Sequence, residues 1–578
     1  MNNKISSGQK IARKLSRLSK KAGTEVIEHA QENLIDRVSH VRRVRLLILE
    51  WVLLVVTILI LSITQMFWYS DSYATITYNR GGTYTEATLG EVKSLNPLFA
   101  STNSEKTISK LLFASLSSPD YSGHAGLDLA KSITTDEKGQ VWTVVLRDNL
   151  KWSDNEPLTN EDVLYTAELI ADPRLNTIYS SNLSGVRVEE KDGKIIFTLP
   201  TSNAFFESAL DFPILPKHIL DGTSPDLLLE HAFNTKPVTS GAFSHNATQN
   251  VGNTGEKIVY LTANSNYYKG RPLIDSFVVH AYMETDSIIN ALNNGTVTAS
   301  AALTGEDVKK VTSGNISEYQ SSLNYGVYAF INNETIKGKD FRSAIRQGIN
   351  MGEVRSLLNG ERELDYPFVE NQVKLTEYSE FPAYDKEKAK TVITEKLEKD
   401  EELRNNGISL VTVRSGILPA ITDKLADQLR DLGLIVDVTV YESDQDFAIN
   451  VLSQRAYDIL VYEVGLGADP DLFAYYHTTQ ATSEGHNLSN YKNAVVSDLI
   501  LSARATINPV LRNKKYQNFV KYFVEDTPAI GIYQSNMNYL VNNKVKAYST
   551  ENRLVTATDR FVDVAKWGVI RSSRNRTP

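Results

Sequence analysis

Two acidic and two imidazole side chains lie close together in one stretch: Asp469 and Asp471 flank Pro470, and His477 and His486 follow. Carboxylates and imidazoles are ordinary zinc ligands, but these intervals match no standard metal site. Covalent chemistry has even less to work with. The chain has no cysteine, which removes thiol nucleophiles, zinc–thiolate centres, iron–sulfur clusters and disulfides. Nor does the sequence contain a zincin helix, a phosphate-binding glycine loop or a nucleophile elbow. These residue types favour reversible binding over bond-making, so no catalytic residue, resident metal or cofactor is expected.

The elements that would position a binding site begin with an anchor. Residues 46–69 form an almost unbroken apolar run, long enough for a helix to cross about 30 Å of hydrocarbon. Glu50 lies near one end, and Trp51, Trp68 and Tyr69 supply interfacial aromatic rings. Arg37, Arg42, Arg43 and Arg45 precede the run and Arg80 follows it, so the N-terminus is expected in the cytoplasm and the rest outside the cell membrane. A cleaved signal peptide is the rival reading, with Ser72-Tyr73-Ala74 as its cleavage pattern. The long basic segment before the run and the run's own length argue against it. Within that basic segment, Ile11, Leu15 and Leu18 share one helical face, a pattern suited either to an anionic lipid surface or to a solvated basic tail.

At 578 residues the chain exceeds one typical domain and should divide into lobes. With 61 basic and 69 acidic residues, a net charge of -8, it offers no basic face to nucleic acid. Short strands alternate with helices. Val141 to Leu146 and Lys194 to Leu199 read as strands, and a helix starts at Asn160 and ends before Pro173. Further on, a strand from Ile408 to Val413, an amphipathic helix closed by Gly433 and a strand from Ile435 to Val440 form a crossover unit of a parallel or mixed sheet.

Several collinear motifs carry a family resemblance. Leu95-Asn96-Pro97-Leu98 opens it, and Leu146-Arg147-Asp148-Asn149-Leu150-Lys151-Trp152-Ser153-Asp154-Asn155-Glu156-Pro157-Leu158-Thr159 is its strongest stretch. Leu215-Pro216-Lys217-His218, Lys236-Pro237-Val238-Thr239-Ser240-Gly241, Asn264-Ser265-Asn266-Tyr267-Tyr268 and Phe341-Arg342-Ser343-Ala344 follow in order. Over roughly 83–570 the chain resembles the family 5 extracellular solute-binding proteins, which include periplasmic oligopeptide-, dipeptide- and nickel-binding proteins.

The resemblance implies an α/β, periplasmic-binding-protein-like class II fold with two lobes, a hinge and an extra domain, preceded here by one transmembrane helix. Hydropathy and charge put a cytoplasmic basic helical arm at 1–45, the anchor at 46–69 and a linker at 70–82, and the resemblance implies a body at 83–572 followed by a tail at 573–578. Within the body it implies a first lobe from 83–119, 237–332 and 531–572, an extra domain at 120–236 and a second lobe at 333–530. The implied partners are a peptide or peptide-like solute, an ABC permease with its ATPase, and the bilayer. Ligand is held by strand-like main-chain contacts and released chemically unchanged.

Site residues carried over from the family are Ser101, Thr102 and Asn103 in the first cleft segment, Tyr179 as an aromatic wall, and Ala301 on a strand-like edge. In the second lobe, Ala468-Asp469-Pro470-Asp471 resembles a family motif, but Leu466 or Gly467 stands where peptide binders carry the aspartate that pairs with a free ammonium. A peptide amine would then need Asp469, Asp471 or Glu463, and otherwise the ligand has no free amine. Thr298 likewise replaces a family aspartate, which implies altered hinge contacts. The alternatives are a non-transporting receptor or surface scaffold of the same fold, a nickel or metal-complex binder, and a hydrolase.

Overall fold

A computed structural model describes residues 38–77, 80–175, 177–369, 372–375, 379–548, 553–570 and 572–575. It divides into two compact units, Met1–Thr77 with Ser572–Pro578, and Tyr78–Arg571. The basic face at residues 11–18 lies outside the described residues.

In the first unit a helix runs over Val38–Tyr73, and its stretch Leu49–Trp68 has a mean hydropathy of 2.1 with none of it buried. The expected linker at 70–82 differs from what is found. The helix continues to Tyr73 because neither proline nor glycine interrupts it. The alternating Ala74–Thr77 then forms a strand paired antiparallel with Ser572–Asn575, so residues expected in a tail are part of a two-stranded ladder.

In the second unit an 11-stranded mixed sheet runs through the molecule. From one edge its order is Val436–Tyr441, Ile408–Val413, Ile459–Gly465, Ile316–Ile331, Ala529–Asn542, Ala299–Ser300, Thr83–Leu89, Ser276–Tyr282, Lys257–Ala263 and Phe243–Asn250. Arg362–Glu363 pairs beside Ala529–Asn542. The crossover expected from 408 is present: Ile408–Val413 and Val436–Tyr441 pair in parallel around the helix Leu418–Asp431.

Two large cores, and a small third one with Ala87, Ile288 and Leu540, lie along this sheet. One gathers buried residues such as Tyr84, Trp152, Phe197 and Phe243, the other Val327, Ile345, Leu425 and Phe519. The strands Ile316–Ile331 and Ala529–Asn542 serve both. Their antiparallel register runs from Ile316↔Asn542 to Ser322↔Asn536, breaks, and resumes from Gly326↔Gln534 to Phe330↔Ala529. Such a break re-aims a strand pair and divides the ladder into two segments.

In a separate four-stranded sheet, Ala130–Thr135, Val141–Leu146, Lys194–Thr198 and Arg187–Lys191, the strongest sequence motif runs on from the end of the internal strand Val141–Leu146. Trp152 is fully buried there, and Asn155 adopts a left-handed turn with φ 78°. Asp162 Oδ2 accepts from Thr159 N at 2.8 Å, closing the N-terminus of the helix Asn160–Ala171. This stretch is a folding signature with no free chemistry.

Candidate functional site

At the register break, Asn324 holds two regions together. Its carbonyl accepts from Leu466 N at 2.7 Å, and its side-chain amide donates to Gly467 O at 2.8 Å. Gln372 Nε2 also donates to Gly467 O, at 2.9 Å. Gly467 takes φ 68°, a conformation that favours glycine. Leu466 and Gly467 are thus main-chain anchors at the junction of the two cores.

Asp469 and Asp471 each have a protein partner. Ser208 donates to Asp469 Oδ2, and Arg504 Nε lies 3.0 Å from Asp471 Oδ2. Burial pushes both carboxyls above their ordinary range, against the pull of Ser208 and Arg512 on Asp469 and of Arg504 on Asp471. Around them the segment 204–208 reaches the second core. Ala204 N donates to Arg504 O at 2.7 Å, Phe205 is buried in that core, and the Arg512 guanidinium sits 4.6 Å over its ring.

Ser101, Thr102 and Asn103 form the start of the helix Asn103–Leu112. Thr102 is its N-cap, with its hydroxyl accepting from Glu105 N at 3.1 Å and donating to Glu91 O at 2.7 Å. Glu105 accepts from the backbone N–H groups of Lys93, Ser94, Ser101 and Thr102. Burial draws its carboxyl upward, but these donors outweigh burial and hold it below the usual range.

Tyr179 is half-buried, its hydroxyl pushed up by burial and then by Asp211. Ala301 directly follows the strand Ala299–Ser300. Thr298, which replaces the family aspartate, donates through its hydroxyl to Thr85 O at 2.6 Å.

A further open volume lies elsewhere. A crevice of about 470 Å³ is walled by Thr304–Asp307, by residues 357–361, by 415–420 and by Glu463, Tyr533, Ser535 and Asn536. Its two outer walls follow the C-terminal ends of the strands Ala299–Ser300 and Ile408–Val413, and its floor is the ladder that joins the two cores. Of the residues named from the sequence, Glu463, offered there as a substitute partner for a ligand amine, lines it, and the carried-over Ser101, Thr102, Asn103, Tyr179, Ala301, Leu466, Gly467, Asp469 and Asp471 do not. Sequence reasoning passed over these loops, although ligands of open α/β sheets sit beyond the carboxyl ends of strands. Gly305 and Gly416, with φ 52° and 47°, mark both turns. Among the described residues, no group of three or more His, Cys, Asp or Glu side chains forms a metal site, and His477 instead bonds Thr479.

An interlobe crevice floored by paired crossing strands defines a binding-protein class, the periplasmic-binding-protein fold. Residues 126–486 match the family described as bacterial extracellular solute-binding proteins, family 5 Middle, and the chain belongs to that family. It is 25% identical over 496 residues to the oligopeptide-binding protein AppA of Bacillus subtilis, covering 81% of this chain and 89% of that protein. The solved structure of that protein with a nonapeptide matches with a TM-score of 0.69 at 22% identity, covering 86% of this chain and all of the other. NikZ from Campylobacter jejuni in complex with Ni(L-His) matches with a TM-score of 0.70 at 19% identity, covering 84% of this chain and 99% of the other.

Proposed function

We propose that this chain is a membrane-anchored, extracytoplasmic substrate-binding protein of an ABC importer, which captures peptides or peptide-like solutes between its lobes. The observation that carries the reading is the 470 Å³ crevice over the broken ladder, a place where two bodies can change their angle about a few residues. The lobes of the proposal are 83–119, 237–332 and 531–572 for the first and 333–530 for the second, with 120–236 as the extra domain. Contacts of 204–208 with Asp469, Arg504 and Arg512 would belong to the closed form.

Peptide relatives and the family membership support the cargo class, and the apolar helix with its basic flank supports the anchor. A permease and its ATPase would receive the closed form. Ligand binding favours that form by no more than its differential affinity.

Thermal unfolding of the full-length chain with a mixture of short peptides tests this. A peptide at 100 times its Kd should stabilise the fold by about 2.7 kcal/mol with no loss of peptide. Peptide cleavage would identify an enzyme instead, and no shift with any peptide would remove the cargo assignment.

A further inference from the structure

The crevice has a charge that the proposed function does not account for. Glu306, Asp307, Glu361 and Glu463 line it, and among the described residues no lysine, arginine or histidine does. Glu306 and Asp307 have Lys309 and Lys310 as partners, at 2.6 and 2.7 Å. Glu463 has no cationic partner among the described residues and receives only the Ser535 hydroxyl.

Its place on the sheet is fixed by register. Glu463 lies opposite Val327, and Val327 opposite Tyr533, so Glu463, Tyr533 and Ser535 share one face of the floor. Solvent reaches Glu463 through the crevice, yet protein surrounds its carboxyl enough for burial to raise it above the ordinary range, against the pull of Ser535. Asn536 also lines the crevice, but by the same alternation its side chain turns to the other face of the strand, where its Nδ2 donates to Gly360 O at 2.8 Å. A carboxylate that opens on the crevice without a cationic partner calls for a cationic group.

Of the three carboxylates available to a ligand amine, Asp471 is paired with Arg504 and Asp469, like Glu463, accepts from a serine hydroxyl, but only Glu463 lines the crevice. We infer that Glu463 is the subsite for a cationic group of the ligand, and that this protein selects basic over acidic peptides. The inference rests on the proposed capture of peptides. The cation can be an N-terminal ammonium or a lysine side chain, which offer the same donors.

The test uses the full-length chain in detergent and calorimetric titration with alanine pentapeptides carrying a central lysine or a central glutamate, each with a free or acetylated N-terminus. The lysine peptides should bind about tenfold or more tightly than the glutamate peptides, the scale of a charge-assisted hydrogen bond. Glu463→Gln should bring the ratio close to one, while Glu463→Asp should keep most of it, which separates loss of charge from loss of fold. If acetylation weakens the lysine and glutamate peptides alike, the cation is the terminal ammonium; if the lysine preference survives acetylation, it is the side chain. Equal affinity of all four peptides, or an undiminished lysine or acetylation effect in Glu463→Gln, overturns the inference and leaves peptide capture standing. Binding of none of the four overturns both.

Discussion

Glu86 and Glu463 are carboxylates on strands of the same sheet, and their surroundings differ in almost every respect. Glu86 is fully buried, accepts from Tyr84 Oη at 2.7 Å and is paired with Arg560, itself stacked 4.0 Å over Phe561. Nearby, Lys110 lies 3.5 Å from both Asp211 and Asp559, and these carboxylates raise its ammonium despite burial. These charges are matched within the fold. Glu463 opens on a crevice and meets only a hydroxyl. Matched charge fixes the geometry of the first core, whereas unmatched charge on the connecting ladder leaves an interaction for something that arrives from outside.

Arg560→Leu should break this contrast most severely. Stranding Glu86 in the core costs about 3–5 kcal/mol, seen as a large fall in the thermal midpoint. Lys110→Met leaves Asp211 and Asp559 facing each other and should cost about 3 kcal/mol in chemical denaturation, somewhat less because Lys110 is 20% exposed. Asp471→Asn weakens the half-buried pair with Arg504 and should cost about 1 kcal/mol by the same assay. A cost equal to that of Arg560→Leu would place Asp471 among the matched core charges.

Glu463→Gln should have the smallest effect on stability, and its sign depends on pH. Burial raises the Glu463 carboxyl, so the folded chain holds this proton more tightly than the unfolded chain. Its stabilising contribution is complete below the unfolded carboxylate range and declines as pH rises through the raised folded value. At neutral pH the ionised group is therefore a small liability. The variant should melt at or slightly above the parent temperature near pH 7, with the difference vanishing near about pH 4. A lower melting temperature at neutral pH would make Glu463 a structural partner like Glu86.

Much of the scaffold was legible because it is local. The strand at Val141, the capped helix at Asn160 and the crossover from Ile408 follow from alternation, capping and glycine placement within a few residues. The strand Ala74–Thr77 was not, since its partner lies at Ser572–Asn575, almost the full chain away. The candidate site was harder still. Motif register places the carried-over residues in a helix cap, at the sheet junction and in contacts with segment 204–208. The crevice instead combines Thr304, Glu361, Ser415, Glu463 and Tyr533, which lie far apart in the chain and meet only through the pairing of several strands in the sheet.

Native mass spectrometry of the full-length chain, released gently from detergent, tests the central claim most directly. Reversible capture predicts species heavier than the bare chain by the masses of intact peptides, which leave unaltered on mild collisional activation and are retained less well by Glu463→Gln. Only the bare mass across a peptide series, or the release of shortened peptides, would contradict a clamp that holds its cargo and returns it whole.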